Sequence, residues 1–99
     1  MRGYVIGDED LALGFRMIGI KGTIVPSSDE ALKVLRRIIE EEKNGGIIFI
    51  SEDFSSQIQE ELDEIRSKCN SLIIEVPGRK ARETSIVQRL ISRALRVRV

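Results

Sequence analysis

Short runs of apolar residues alternate along the chain with longer segments in which apolar residues recur every three or four positions. The short runs are typical of β-strands, and they cover residues 3–7, 22–26, 46–51 and 71–77. The longer segments have the spacing of amphipathic α-helices, and they cover residues 8–18, 27–46, 52–69 and 85–95. Residues 96–99 alternate basic and apolar side chains and are compatible with one more short strand.

Strict alternation of strand and helix predicts an α/β protein, because each helix carries the chain back to begin the next parallel strand. We predict a small doubly wound parallel sheet of four strands in the order 2-1-3-4, as in flavodoxin and receiver domains, followed by a C-terminal helix. The sheet and its helices form an N-terminal α/β domain at residues 1–77. A polar linker at 78–84 then leads to the C-terminal helix and tail at 85–99.

Two of the helical segments begin with clear start signals. Asp8 precedes the first helix as its predicted cap, and Glu9 and Asp10 place negative charge where the helix dipole favours it. Ser27 and Glu30 have the spacing of a capping box before the second helix. The acidic turn after the first strand is therefore explained as a helix start.

The same acidic turn has an alternative interpretation as a metal site. Carboxylates after the first strand, with an acidic residue at the end of the third, form the Mg²⁺ pocket of a receiver-like, phosphate-switched signalling domain. Here the third strand ends at Ser51, and Glu52 and Asp53 follow it. The predicted sheet has no fifth strand to supply the receiver's lysine, and the acidic turn is not a glycine-rich phosphate loop. A receiver-like domain is kept as the alternative.

Charge is unevenly distributed, although the formal net charge is zero. Residues 29–64 contain eleven acidic and four basic side chains, whereas residues 79–99 contain seven basic and one acidic. This separation indicates that the basic tail meets an acidic surface, either the chain's own or a partner's.

A nucleic acid is a second possible partner for the basic tail. Its arginines are Arg79, Arg82, Arg89, Arg93, Arg96 and Arg98. The acidic body would repel a polyanion, and the last helix has no aromatic side chain on which a base could stack. We therefore expect no nucleic-acid partner.

The composition of the 99 residues restricts the chemistry. The chain has no histidine, which is the commonest general base and metal ligand, so we expect no catalytic, metal-binding or cofactor-binding residues. Cys69 is the single cysteine, which excludes an internal disulfide, and its place at the end of an apolar stripe predicts a buried structural thiol. The lone cysteine favours a reduced, cytoplasmic setting. No apolar run approaches the ~20 residues of a membrane span, so we expect no membrane insertion.

Eight residues near the N-terminus resemble the signature of the F subunit of V-type and A-type rotary ATPases. They are Gly7, Asp8, Glu9, Asp10, Gly14, Phe15, Gly19 and Ile20. The later segment SLIIEVPG, at residues 71–78, is similar to a segment of the same family. The tail resembles the shorter prokaryotic branch, because it lacks the Tyr- and Asp-containing stretch of longer members.

The resemblance implies a non-catalytic subunit of the central stalk, the rotor, which lies peripheral to the membrane as part of a membrane-bound complex. In this family the C-terminal helix packs along the coiled coil of the shaft's D subunit, and ATP chemistry belongs to the neighbouring A/B catalytic hexamer. The resemblance also implies that Gly14 and Gly19 permit close approach of backbone. The residues expected to form the partner interface are Ile86, Val87, Arg89, Leu90, Ile91, Arg93, Ala94 and Leu95.

Overall fold

A four-stranded parallel sheet organises the protein. The computed structural model describes residues 2–82 and residue 93. In chain order the elements are β1 (Arg2–Gly7), α1 (Glu9–Met17), β2 (Lys21–Ile24), α2 (Ser28–Glu41), β3 (Gly46–Ser51), α3 (Glu52–Ser55), α4 (Gln59–Lys68) and β4 (Leu72–Val76). The strand order is β2-β1-β3-β4 and each pairing is parallel, which confirms the predicted α/β class and topology.

One face of the sheet carries the main hydrophobic core. Ile6 of β1 and Ile48 of β3 are fully buried there. They pack in one cluster with Leu35 of α2 and Leu62 of α4, both also fully buried. Burial of one such large aliphatic side chain stabilises the fold by roughly 1.5–3 kcal/mol. The amphipathic stripes of α2 and α4 therefore hold these helices on this face.

The other face is covered by α1, which approaches the edge strand β2 very closely. A Cβ built on Gly22 of β2 would lie 2.9 Å from the Cβ of Ala12 and 3.1 Å from its Cα. Farther along α1, the rings of Phe15 and Phe49 meet with their centroids 4.8 Å apart. Gly22 therefore permits the backbone of α1 to lie close to β2, a role that was expected at Gly14 and Gly19 instead.

Gly14 and Gly19 do not have that role within the described residues. A Cβ on either glycine would meet no described atom within 4 Å. Gly19 is required instead for its backbone conformation, since its φ of +86° lies in the left-handed region that favours glycine. Among the described residues no backbone approaches either glycine closely, and close approach by a partner at these positions stays a prediction.

The second helix begins where the sequence predicts. The Ser27 hydroxyl caps α2 by accepting the Glu30 N–H at 3.3 Å. The Glu30 carboxylate lies 3.4 Å from Lys33 Nζ. The helix ends at Glu41, before the predicted end at residue 46. Gly45, in the turn that follows, has a φ of +95° in the left-handed region that favours glycine.

The helix predicted over 52–69 is divided into α3 and α4. In a continuous helix the Ser55 carbonyl would accept the backbone N–H of Gln59; here it accepts the N–H of Ile58 at 3.1 Å and the side-chain amide of Gln59 at 2.9 Å. Ile58 is buried in the core at the break. Apolar spacing fits both arrangements, so the pattern did not reveal the break. Cys69, expected to be buried, is half-buried and its thiol donates to the Ser71 carbonyl at 3.4 Å.

After β4 the chain turns into helical structure. Residues 79–82, within the predicted linker, are helical, and Arg82 N donates to Gly78 O at 3.0 Å. Arg93 is helical and exposed. The rest of the predicted C-terminal helix and tail lies outside the described residues. Among the described residues, no helix is long and apolar enough to cross a bilayer.

Two glycine-to-alanine substitutions should change stability in opposite directions. Gly22→Ala should lower the free energy of unfolding by about 1–3 kcal/mol, because the new methyl group meets the backbone of α1, which cannot move aside alone. Gly14→Ala should raise the free energy of unfolding by up to about 1 kcal/mol, since the position is in mid-helix and a methyl group there would meet no described atom. Urea denaturation of both variants measures the difference. Wild-type stability of Gly22→Ala would contradict the tight packing of α1 on β2.

Candidate functional site

The acidic turn after β1 is a helix start, as predicted. Asp8 adopts extended backbone geometry and its Oδ1 accepts the N–H of Leu11 at 2.9 Å. Glu9 and Asp10 occupy the first turn of α1. This arrangement satisfies one of the N–H groups that a helix N-terminus leaves unpaired, and it places negative charge at the positive end of the helix dipole.

The second carboxylate oxygen of Asp8 is engaged by an arginine from the far end of the sequence. Oδ2 of Asp8 lies 2.7 Å from a guanidinium nitrogen of Arg82. The two side chains are only 18% and 27% exposed, so water screens their attraction less than at an open surface. The other terminal nitrogen of Arg82 donates to the Pro77 carbonyl at 2.8 Å. One guanidinium therefore joins the α1 start to the chain that leaves β4.

Two opposing effects act on the pKa of Asp8. Partial burial raises it, whereas the hydrogen bond from the Leu11 N–H and the nearby Arg82 and Arg79 guanidinium groups lower it. The lowering effects outweigh burial, so the pKa of the Asp8 carboxyl lies below its ordinary value.

Asp53, at the start of α3, makes a second contact with the segment after β4. Its Oδ2 accepts the backbone N–H of Arg79 at 2.9 Å. The Arg79 side chain lies 3.8 Å from an Asp10 carboxylate oxygen. Both of those side chains are mostly exposed, and exposed ion pairs of this kind contribute little stability.

The described residues do not form the metal pocket of a receiver-like domain. No group of three or more His, Cys, Asp or Glu side chains within the described part of the chain is placed to hold an ion. The buried hydroxyl of Ser51 accepts the Asp53 N–H at 3.2 Å and so caps α3. The carboxylates of Asp8 and Asp53 are occupied by donors from the segment after β4. The geometry therefore favours structural use of this acidic edge over the receiver-like alternative.

A groove of about 260 Å³ lies beside the Asp8–Arg82 contact. It is lined by Asp10, Leu11, Gly14, Phe15, Ile18 and Arg82. Leu13 and Met17 of α1 are exposed, as is Ile18 directly after the helix. The signature residues Gly14 and Phe15 thus lie at a partly apolar surface next to the origin of the C-terminal segment.

Of the predicted partner interface, the structure describes one residue. Arg93 is helical and exposed. The other expected interface residues lie outside the described part of the chain: Ile86, Val87, Arg89, Leu90, Ile91, Ala94 and Leu95.

The sequence did not predict the roles of three residues at this site. Asp53 accepts a backbone N–H from the segment after β4, and Arg79 and Arg82 pair with carboxylates of the acidic turn. The uneven charge distribution was the available signal. Its prediction that the basic tail meets an acidic surface is confirmed for Arg79 and Arg82, which meet the chain's own acidic side chains.

The contribution of the Asp8 charge to stability should depend on pH. Asp8→Asn keeps a good helix cap and removes the charge. Because the pKa of Asp8 is lower in the folded than in the unfolded protein, the charge stabilises the fold above the unfolded pKa, and this contribution disappears as pH falls through the folded pKa. The free energy of unfolding of wild type should exceed that of Asp8→Asn by about 1–2 kcal/mol at pH 7. This difference should shrink below about pH 4.

Urea denaturation across a pH series measures this difference, with Asp29→Asn in the first turn of α2 as the matched substitution. A gap between wild type and Asp8→Asn that persists unchanged at pH 2 would contradict the assigned role of the charge.

Comparison with known proteins agrees with the resemblance seen in the N-terminal signature. Residues 4–91 match the family described as ATP synthase (F/14-kDa) subunit. The F subunit of the V-type ATP synthase of Fusobacterium nucleatum is 36% identical over 76 residues, which cover 77% of this chain and 70% of that protein.

Two archaeal relatives match over nearly the whole chain. The F subunit of the A-type ATP synthase of Methanothermobacter thermautotrophicus is 34% identical over 98 residues, covering 94% of this chain and 91% of the relative. The corresponding protein of Methanocaldococcus jannaschii is 31% identical over 100 residues, covering 98% of this chain and 97% of the relative. With the signature, the parallel sheet and these matches together, the chain belongs to the ATP synthase (F/14-kDa) subunit family, the F subunits of A-type and V-type complexes.

Proposed function

We propose that this protein is a non-catalytic rotor subunit that binds the shaft's D subunit in its ATP synthase through its C-terminal helix. In this role it helps to couple ATP turnover in the A/B hexamer to ion transport, at the cytoplasmic side of the membrane and without inserting into it. The observation that carries the proposal is the family match, which extends through residue 91 and so includes most of the predicted C-terminal helix.

The state of the acidic edge supports a binding role over a catalytic one. The two carboxylates best placed for chemistry, those of Asp8 and Asp53, are held by Arg82 and by the Arg79 N–H. A nucleotide phosphate at the α1 N-terminus would have to approach Asp8, Glu9 and Asp10, and their negative charge opposes it.

Exposed apolar side chains support a protein partner on the α1 side of the molecule. Met17 is 82% exposed and Ile18 is 72% exposed. Ile18 lines the same groove as Arg82, which leads into the C-terminal segment. The sequence of 85–95 adds the large aliphatics Ile86, Leu90, Ile91 and Leu95. Apolar side chains left exposed beside one another, as Met17 and Ile18 are in sequence, are typical of protein interfaces.

Replacing Leu90 and Ile91 together with Asp should abolish binding to the shaft. Burial of each large aliphatic stabilises a complex by roughly 1.5–3 kcal/mol, and an Asp in its place would be buried without a partner. The measurement is a titration of full-length protein with the purified D subunit by calorimetry.

The matched control is Gln88→Asp with Ser92→Asp, which adds the same charge at polar positions of the same predicted helix. The control should bind within about threefold of wild type, because rim charges alter affinity only modestly. Full-strength binding of the Leu90/Ile91 variant would show that another surface carries the interface.

The isolated protein should have neither ATPase activity nor a tight nucleotide site. Calorimetric titration with Mg·ATP should give no saturable heat at micromolar concentrations, because the acidic α1 start opposes phosphate. Stoichiometric micromolar binding would contradict the non-catalytic assignment.

A further inference from the structure

The helical turn after β4 begins at a residue that has no side chain with which to cap it. Gly78 O accepts the N–H of Arg82 at 3.0 Å, so the turn is of α-helical type and Gly78 occupies the cap position. A helix start leaves backbone N–H groups without intrahelical acceptors. Glycine cannot supply the side-chain oxygen that usually accepts one of them.

Asp53 supplies that oxygen from a different element. Its carboxylate accepts the N–H of Arg79 at 2.9 Å across 26 residues of sequence. A methyl group on Gly78 would overlap the same carboxylate. Gly78 and Asp53 therefore fit each other: the missing side chain at the cap position leaves the space in which the distant carboxylate caps the turn.

Asp8 holds the same turn at a second point. Arg82 spans from the Asp8 carboxylate at 2.7 Å to the Pro77 carbonyl at 2.8 Å. Because the guanidinium is planar and rigid, two bonds made by its separate nitrogens restrict rotation as well as distance. The turn is thus fixed to α1 through Asp8 and to α3 through Asp53.

We propose that Asp8 and Asp53 are positioning residues, which set the direction in which the C-terminal helix leaves the α/β body and so preorganise it for its partner. The proposal rests on the proposed function for the identity of that partner, the D subunit of the shaft. A helix already held in its binding direction loses less freedom on docking, so loss of either contact should weaken binding without removing any residue of the interface.

The direction of the helix can be measured without the partner. Cys69 is replaced by Ser, and spin labels are attached at Glu40→Cys on α2 and Arg93→Cys, both exposed positions. Electron spin resonance then gives the distance distribution between the labels in the full chain. Asp8→Asn, Arg82→Gln and Asp53→Asn should each broaden or shift this distribution, whereas Asp29→Asn, the same change at the start of α2, should leave it as in wild type.

Affinity for the D subunit, measured on the unlabelled chain, provides the second readout. Asp8→Asn and Arg82→Gln should each raise Kd about tenfold. The double variant should bind about as weakly as Arg82→Gln alone, because both substitutions remove the Asp8–Arg82 contact and Arg82→Gln also removes the bond to Pro77. Circular dichroism verifies that each variant is folded.

The outcomes separate the two proposals. An unchanged label distribution in all three variants, or affinity equal to wild type with the distribution changed, would overturn the positioning role. Normal binding by the Leu90/Ile91 variant would instead overturn the proposed interface, and the label distances would still decide whether Asp8 and Asp53 direct the helix.

Discussion

Parallel pairing of the two central strands, β1 and β3, is the constraint on which the rest of the structure depends. Strands in the middle of a parallel sheet must be covered on both faces, and each crossover must return over one of them. Here α2 and α4 bury Ile6 and Ile48 on one face, while α1 lies over the other. The close approach of Ala12 to Gly22 follows, since a short helix can cover its strands only by lying near them.

The same constraint determines where charge collects. Parallel strands end at one edge, so the helix starts that follow them lie together, and each start favours acidic residues. Asp8 and Asp53 are brought to this edge for local reasons, as the cap of α1 and as part of the first turn of α3. The segment that leaves β4 passes along this edge, and Arg79 and Arg82 meet the carboxylates there. An arrangement that could bind a cation in another protein is here used to attach the chain's own continuation.

The sequence was sufficient for the fold because its evidence is periodic and local: apolar runs, helix stripes and caps at Asp8 and Ser27 each depend on neighbouring residues. The break between α3 and α4 could not be found in this way, since it depends on the Ser55 carbonyl and on side-chain contacts formed only in the folded protein. The partners of the acidic edge were also hidden, because Asp53 and Arg79 are 26 residues apart. The uneven charge distribution indicated that basic residues of the tail contact acidic side chains, but it could not identify which residues pair with which.

The contact between Asp8 and Arg82 joins residues that are 74 positions apart. A pairing over such a distance closes a loop that contains three of the four strands, β2, β3 and β4, and the entropy of that closure is offset only once those strands have paired. We therefore expect the contact to form late in folding, after the folding transition state. Interactions absent from the transition state act on the rate of unfolding and leave the rate of folding nearly unchanged. On this expectation the Asp8–Arg82 contact should prolong the lifetime of the folded protein without speeding its formation.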